Sequence, residues 1–377
     1  MIPSAFVGER WRHVDLGPVS PAEAMSQNGV LAGTVRKGGG PVAQTAVWGR
    51  THLNVGWFDD VDVTLDLEAC RRLGVDVIRR PIYGGGTAFY QEGCAVLWGF
   101  FLPPDDGHTL DEKLTRFQPV LLDALGRIGL GEVGFEGSSD FRWHARKLGA
   151  LSAQETMGVH NVGGFLNIAR PDIDLYLQVV RVPDEKFKDK AVKDMREYVC
   201  TADEVAGRPV TYEEFRAAVA AALEAAGITL SPEPLTDEER RNVRDIAGYL
   251  ASDEQVRRIS SERFAADAPA GTRVGFGNEK GKKLCRAGVA LDEGGTVVAA
   301  LVAGDMHVSP PDTIDRVAAA LVGAPADDDA ELKARIAEVF EAPDVSQADA
   351  AMGVTTDDLL AAVRKAVLAA GGEPPRS

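Results

Sequence analysis

The chain has 377 residues, enough for two or three domains, and is 45% hydrophobic and 26% charged, the balance of a soluble globular protein. A formal net charge of −16 argues against non-specific nucleic-acid binding, which needs clustered Lys and Arg, but leaves room for a local basic pocket. No apolar run is long enough to span a bilayer, and residues 1–10 lack the basic region and apolar core of a secretion signal, so a cytoplasmic protein with no membrane partner is expected.

Residues 45–50 and 75–79 have strand character, and residues 62–73 between them read as a helix with Val63, Leu65, Leu67, Cys70 and Leu73 as its apolar positions. Residues 95–102 form a buried strand ended by Pro103-Pro104. An amphipathic helix follows over 111–128, then a strand over 164–168. Thr211 with Glu214 three residues later is a capping box opening a helix to about Ala226. Ser231-Pro232-Glu233-Pro234 marks a break between modules, and Thr236 with Glu239 is a second capping box, opening a polar helix towards Leu250.

Further on, residues 283–291 and 296–302 are strands joined at Gly294-Gly295, and 311–321 a helix stopped by Gly323. The Ala-rich acidic stretch 327–371 reads as two packed helices with a solvated acidic face, one ending near Phe340 and one starting after Thr356. The expected organisation is a catalytic domain over 1–230, a helical linker over 231–260, a smaller domain over 261–325 and a helical tail over 326–377. Cys70, Cys94, Cys200 and Cys285 are far apart with no Cys-x-x-Cys spacing, the pattern of reduced, partly buried thiols rather than a zinc site.

Two stretches carry chemical signal. Gly84-Gly85-Gly86 lets the backbone approach a ligand closely, and Arg79-Arg80 upstream supplies guanidinium groups suited to a carboxylate or phosphate. Three glycines alone would be an ordinary tight turn, and they fit neither the dinucleotide fingerprint nor the phosphate-loop pattern. The second stretch is Asp140-Phe141-Arg142-Trp143-His144-Ala145-Arg146-Lys147, followed by Gly149-Ala150. In a hairpin it would bring Asp140 and Lys147 to one pocket, with His144 on the exposed side. Lys147 would then offer a mobile charge to a phosphate or a developing oxyanion. His160-Asn161-Val162-Gly163-Gly164 could line the same pocket. No nucleophile elbow is present.

Taken in order, these segments resemble the lipoate–protein ligase family, within the biotin and lipoate ligase superfamily. Arg80 and Gly84-Gly85-Gly86 match the family's arginine and glycine-rich segment, Asp140 the aspartate of its Asn-Asp pair, and Lys147 its catalytic lysine. Residues 147–154 and 160–167 resemble the stretches that follow, and residues 281–307 resemble the small accessory domain of these ligases. The resemblance implies an α+β fold: a mixed-sheet catalytic domain of the class II synthetase and biotin-ligase type, a smaller α+β accessory domain and a helical tail. It also implies a substrate and nucleotide site of Arg79, Arg80, Tyr83, Gly84, Gly85, Gly86, Thr87, Tyr90, Asp140, Gly149, Ser152, Ala153 and His160, with Lys147 catalytic and Asp140 holding magnesium. The implied chemistry joins lipoate or a related small acid to ATP as an acyl-adenylate, then transfers the acyl group to a lysine of a lipoyl-type carrier protein or domain.

The chain departs from the family pattern at several places. Pro81 and Tyr83 stand for an arginine and a serine, Tyr90-Gln91 for a His-Asp pair, Cys94 for an Asn and Ser139 for the Asn before Asp140. One extra residue lies between Lys147 and Ser152-Ala153. These changes leave the identity of the acid open. They also leave two alternatives: an octanoyl or lipoyl acyltransferase working without ATP, for which Cys94 and Cys200 are candidate nucleophiles, and a homologue that only binds an acyl ligand or uses a different acid.

Overall fold

Most of the β-forming sequence before residue 233 goes into one sheet. The computed structural model describes residues 8–81, 86–103, 108–137, 139–181, 197–281, 283–347 and 354–372. In chain order the strands of the first part are β1 (Arg10–Val19), β2 (Val42–Trp48), β3 (His52–Val55), β4 (Asp76–Arg79), β5 (Ala88–Tyr90), β6 (Ala95–Leu102), β7 (Gly134–Glu136), β8 (Asp140–Trp143), β9 (Arg146–Thr156), β10 (Val159–Asn167) and β11 (Thr229–Pro232). Eight of them form a mixed sheet in the order β11-β1-β2-β6-β10-β9-β8-β7. The β11-β1-β2 end is parallel, and the remaining strand pairs of the sheet are antiparallel.

The helices of this part are α1 (Pro21–Arg36), α2 (Val61–Thr64), α3 (Leu67–Leu73), α4 (Leu110–Arg127), α5 (Ile173–Val179), α6 (Ala202–Ala206), α7 (Tyr212–Ala225) and α8 (Asp237–Leu250). The expected helix over 62–73 is two short ones, because the chain turns extended at Leu65. Capping boxes Thr109–Glu112 and Thr211–Glu214 start α4 and α7, each satisfying orphan amides of the first turn. Both helices lay their apolar faces on one side of the sheet. There Trp98, Phe100, Phe117, Phe141, Leu148, Leu151, Val162 and Phe215 make the main core. α1, opened by the capping box Ser20–Glu23, contributes Leu31, Ala32 and Val35 to a second cluster with Val14, Val42, Phe101 and Val159.

Contacts divide the chain into two units that are discontinuous in sequence. One comprises residues 1–53, 69–76 and 89–250, the other 54–68, 77–88 and 251–377. Two expected boundaries change. Ser231-Pro232 is no module break, since β11 pairs with β1 from Arg10↔Thr229 to His13↔Pro232. α8 is likewise no linker: Arg12 on β1 grips Glu239 with Nη1–Oε1 2.8 Å and Nη2–Oε2 2.7 Å, and Thr34 of α1 donates to the same carboxylate at 2.7 Å.

Burial alone would raise the Glu239 carboxyl. The Arg12 fork, Thr34 and the Thr236 amide outweigh it and hold the group at about 2. A depressed folded value stabilises above the unfolded carboxylate pKa and is lost as pH falls through the folded one. The drop from 4.5 to about 2 corresponds to roughly 3 kcal/mol. Glu239→Gln therefore loses much of that stability at pH 7, and urea midpoints of the variant flatten between pH 4.5 and 2 where the parent still falls. A variant with the parent's pH slope in that window would remove this role from Glu239.

The second unit adds α9 (Asp253–Val256), α10 (Ser261–Asp267), β12 (Arg273–Lys280), β13 (Leu284–Leu291), β14 (Val297–Gly304), α11 (Thr313–Leu321), α12 (Asp329–Phe340) and α13 (Thr356–Ala369). Its antiparallel sheet runs β12-β13-β14. The expected tail is part of this unit's core: Leu359, Ala362, Val363, Ala366 and Val367 of α13 are buried with Cys285, Ala287 and Val289 of β13. Gly275 and Gly277 explain the close fit, since a Cβ on either would lie within 2.3 Å of an α13 carbonyl oxygen. An apolar helical stripe of that width needs a partner surface, and the sheet supplies it.

Candidate active site

Asp140 and Lys147 meet across a hairpin. β8 and β9 pair with Asp140 opposite Ala150 and Phe141 opposite Gly149, and Lys147 Nζ lies 2.9 Å from Asp140 Oδ1. His144, at the exposed turn, has φ 53. The ladder then slips: Arg142 faces Lys147 rather than Leu148. This is a β-bulge, and it carries the extra residue visible in the sequence. Its effect follows from the period of two in a strand. Without the bulge Lys147 would share a face with Gly149 and Leu151, the core side. With it, fully buried Leu148 turns into the core and Lys147 turns to the face of Asp140 and Ala150.

That face can be followed across the sheet. Asp140 stands opposite Ala150, Ala150 opposite Phe165, Phe165 opposite Leu97 and Leu97 opposite Ala46. The next row on the same face is Ser152, Gly163, Gly99 and Gln44. A track of small and apolar residues therefore runs from Lys147 over three strand spacings, about 14 Å. It ends at a separate apolar cluster of Val19, Ala24, Ala46, Trp48 and Ala95, flanked by Met25, Leu97 and Tyr90. Gly163 keeps the track low: a Cβ there would lie 2.7 Å from the Trp98 carbonyl oxygen.

The other predicted residues divide. Ser152 donates to the Gly163 carbonyl at 3.3 Å, and Gly149 is required by the Phe165 carbonyl, 2.2 Å from where its Cβ would be. Tyr90 closes the far cluster, with its ring 5.3 Å from Trp48, 5.4 Å from His52 and 5.7 Å from Phe165. Ala153 is not on this face, because alternation turns it to the core beside Val162. His160 does not join the site either. It is on the core face, opposite Leu102, and pairs with Glu155, eight residues along β9 from Lys147 or about 25 Å.

Tyr83, Gly84 and Gly85 lie outside the described residues. Their flanks belong to the second unit. Arg79 is fully buried and is no ligand-binding residue there. Its guanidinium donates to six backbone carbonyls, those of Gly56, Trp57, Asp59, Gln255, Val256 and Ile259. Five N–H groups are thereby committed, leaving none for a substrate. Arg80 donates to the carbonyls of Asn54 and Gly86, and Thr87 to Asp59 Oδ2 at 2.7 Å. Desolvation raises the Asp59 carboxyl above its ordinary value.

Asp140 is a poor magnesium ligand as placed. Lys147 faces its Oδ1, and Arg142 Nη2 lies 3.7 Å from its Oδ2. Among the described residues no three His, Cys, Asp or Glu side chains gather into a metal site. The cysteines are equally unsuited to nucleophilic work. Burial raises the Cys94 and Cys200 thiols, and each donates to a backbone carbonyl, of Arg170 and Arg146 respectively. Cys285 is pushed up to about 12 in the second core.

Sequence reasoning missed the residues that hold Lys147. Its N–H donates to Tyr198 O at 2.6 Å and its carbonyl accepts from Cys200 N at 2.9 Å. Arg142 donates to the Tyr198 hydroxyl at 2.6 Å and also pairs with Glu136. The extra residue after Lys147 was the signal for the bulge. Residues 198–200 lie 50 positions away, and no local pattern ties them to Lys147.

A family described as "Lipoyl protein ligase A/B catalytic domain" matches residues 21–224. The chain belongs to this family. Among relatives, octanoyltransferase LipM of Geobacillus kaustophilus is 26% identical over 263 residues, covering 63% of this chain and 94% of the relative. Plasmodium falciparum LipL1, solved in complex with lipoate, superposes with a TM-score of 0.62 at 12% identity over 94% of this chain and 98% of its own. A bipartite lipoate protein ligase studied with its E2 lipoyl domain, from Thermoplasma acidophilum, gives a TM-score of 0.53 at 18% identity, covering 67% and 97%. These two structural likenesses speak for the fold, mixed α+β with a lipoate-ligase catalytic sheet. No described helix of this family member is long and apolar enough to cross a membrane.

Proposed function

We propose that the chain transfers an octanoyl or lipoyl group from a thioester donor to a lysine ε-amine of a lipoyl-type carrier domain. The observation that carries this reading is Lys147 at the head of an apolar track of the right character for an alkyl chain. The octanoyltransferase name of the Geobacillus relative favours a thioester donor over free acid and ATP. So does the poor fit of Asp140 to a metal.

In this reading the acceptor amine attacks the thioester carbonyl. The Lys147 ammonium donates to the oxygen that becomes negative, and Asp140, 2.9 Å away, keeps that ammonium aimed. Collapse breaks the C–S bond, the departing sulfur takes the proton lost by the amine, and the products are an amide and a free thiol. With the Cys94 and Cys200 thiols both raised by desolvation and each donating to a backbone carbonyl, the acyl group passes directly from donor to acceptor with no enzyme thioester.

The test is intact-mass spectrometry of a lipoyl-type carrier domain incubated with the protein and an octanoyl thioester, without ATP. The expected result is one octanoyl group on the carrier and none on the protein. Transfer only from free octanoate with ATP, accompanied by pyrophosphate, would replace the thioester reading with the adenylate one.

A further inference from the structure

β10 ends at Asn167, so the edge of β9 that it covers as far as Gly149 opposite Leu166 is left without a strand partner at Lys147. Residues 198–200 fill that place. They bridge to Lys147 in parallel and take both of its main-chain hydrogen bonds. On that edge the Lys147 backbone is therefore held by a three-residue strap rather than by a sheet strand.

The strap is tied down just beyond its end. Arg146, next to Lys147, donates to the Val199 carbonyl at 2.7 Å and to Glu204 Oε2 at 2.8 Å. Arg170, just past β10, donates to the Val199 carbonyl at 3.4 Å and to Glu204 Oε1 at 2.9 Å. One carboxylate thus joins two guanidinium groups that both grip the strap. Burial would raise the Glu204 carboxyl, but Arg170 and Arg146 hold it below the usual carboxylate range. Removing its charge leaves two cations facing each other across a neutral carbonyl, an unfavourable arrangement.

We propose that Glu204 is a positioning residue for Lys147, acting through residues 198–200. It touches no substrate. Its effect is to keep the Lys147 ammonium within the few tenths of an ångström that aimed charge stabilisation requires. The proposal rests on the reading that Lys147 carries the transfer chemistry.

The test compares the parent with Glu204→Gln and Glu204→Asp by amide hydrogen exchange and by acyl transfer from an octanoyl thioester to a lipoyl-type carrier domain. Glu204→Gln is expected to speed exchange at the Lys147 and Cys200 amides about tenfold while the Gly163 amide keeps its protection. Its kcat should fall roughly ten- to a hundredfold with KM for the carrier nearly unchanged. Glu204→Asp, which keeps the charge, should recover part of both. Faster exchange with unchanged kcat, or a lower kcat with parental exchange at Lys147 and Cys200, would overturn the proposal. So would faster exchange spread evenly over β9 and β10, or a Glu204→Gln protein too unstable to measure alongside a Glu204→Asp protein with no recovery. A parent protein that transfers from no donor would instead count against the functional reading, and the exchange comparison would still report on the strap.

Discussion

Replacing Lys147 with alanine is expected to lower acyl transfer to a lipoyl-type carrier domain by about a thousandfold, with little change in the melting temperature. The size follows from removing the charge aimed at the developing oxyanion in a partly enclosed site, where one such donor contributes two to three orders of magnitude. Stability should barely move, because the Lys147–Asp140 pair is partly exposed, with about a quarter of each side chain open to solvent, and such pairs contribute little. The fall should appear in kcat, since the acyl chain and the carrier are held by other surfaces. Transfer at near the parent rate in a folded Lys147→Ala protein would remove the residue from the chemistry. It would also leave the apolar track as a binding site only.

Replacing Arg79 with methionine is expected to cost about 4 kcal/mol of stability, read as a lower urea midpoint. Methionine fills much of the volume but leaves six carbonyls of residues 56–59 and 255–259 without their donor. Burial and then Arg258 lower the guanidinium to about 10, so it is still charged at neutral pH, with Asp59, Asp60 and Asp62 supporting the charge. Arg79→Lys should fail almost as badly, because three donors on a point charge cannot satisfy a cage built for a planar fork. A stable Arg79→Met protein with weakened substrate binding would restore the role that the sequence pattern assigned to this arginine.

The two arginines before the glycines show where local reading stops. Arg-Arg beside Gly-Gly-Gly is a sound signal for an anion site, but a guanidinium can equally well organise backbone carbonyls. Which it does depends on residues 255–259, which sequence adjacency does not reveal. The opposite case is Ser20-Pro21-Ala22-Glu23, a capping box as clear as those at Thr211 and Thr236, which starts α1. The signal was present, and only the apolar stripe behind it was too weak to draw attention. His160 fails for a third reason. It precedes the strand expected over 164–168; the strand starts at Val159, period-two alternation turns His160 to the core, and the strand's length takes it far from Lys147.

By itself the sequence determined the chemistry that could be present. Asp140 and Lys147 lie seven residues apart in a stretch that can close a hairpin, and capping boxes and apolar runs set most of the helices and strands. The tertiary structure decided how that chemistry is aimed. A bulge at Leu148 exists because Leu148 and Leu151 must both reach one core, and an odd spacing on a strand allows that only if one residue is skipped. That same slip turns Lys147 outward onto the apolar track. Residues 198–200 then hold it there through hydrogen bonds that span some 50 residues of chain, a contact that only the folded backbone brings about.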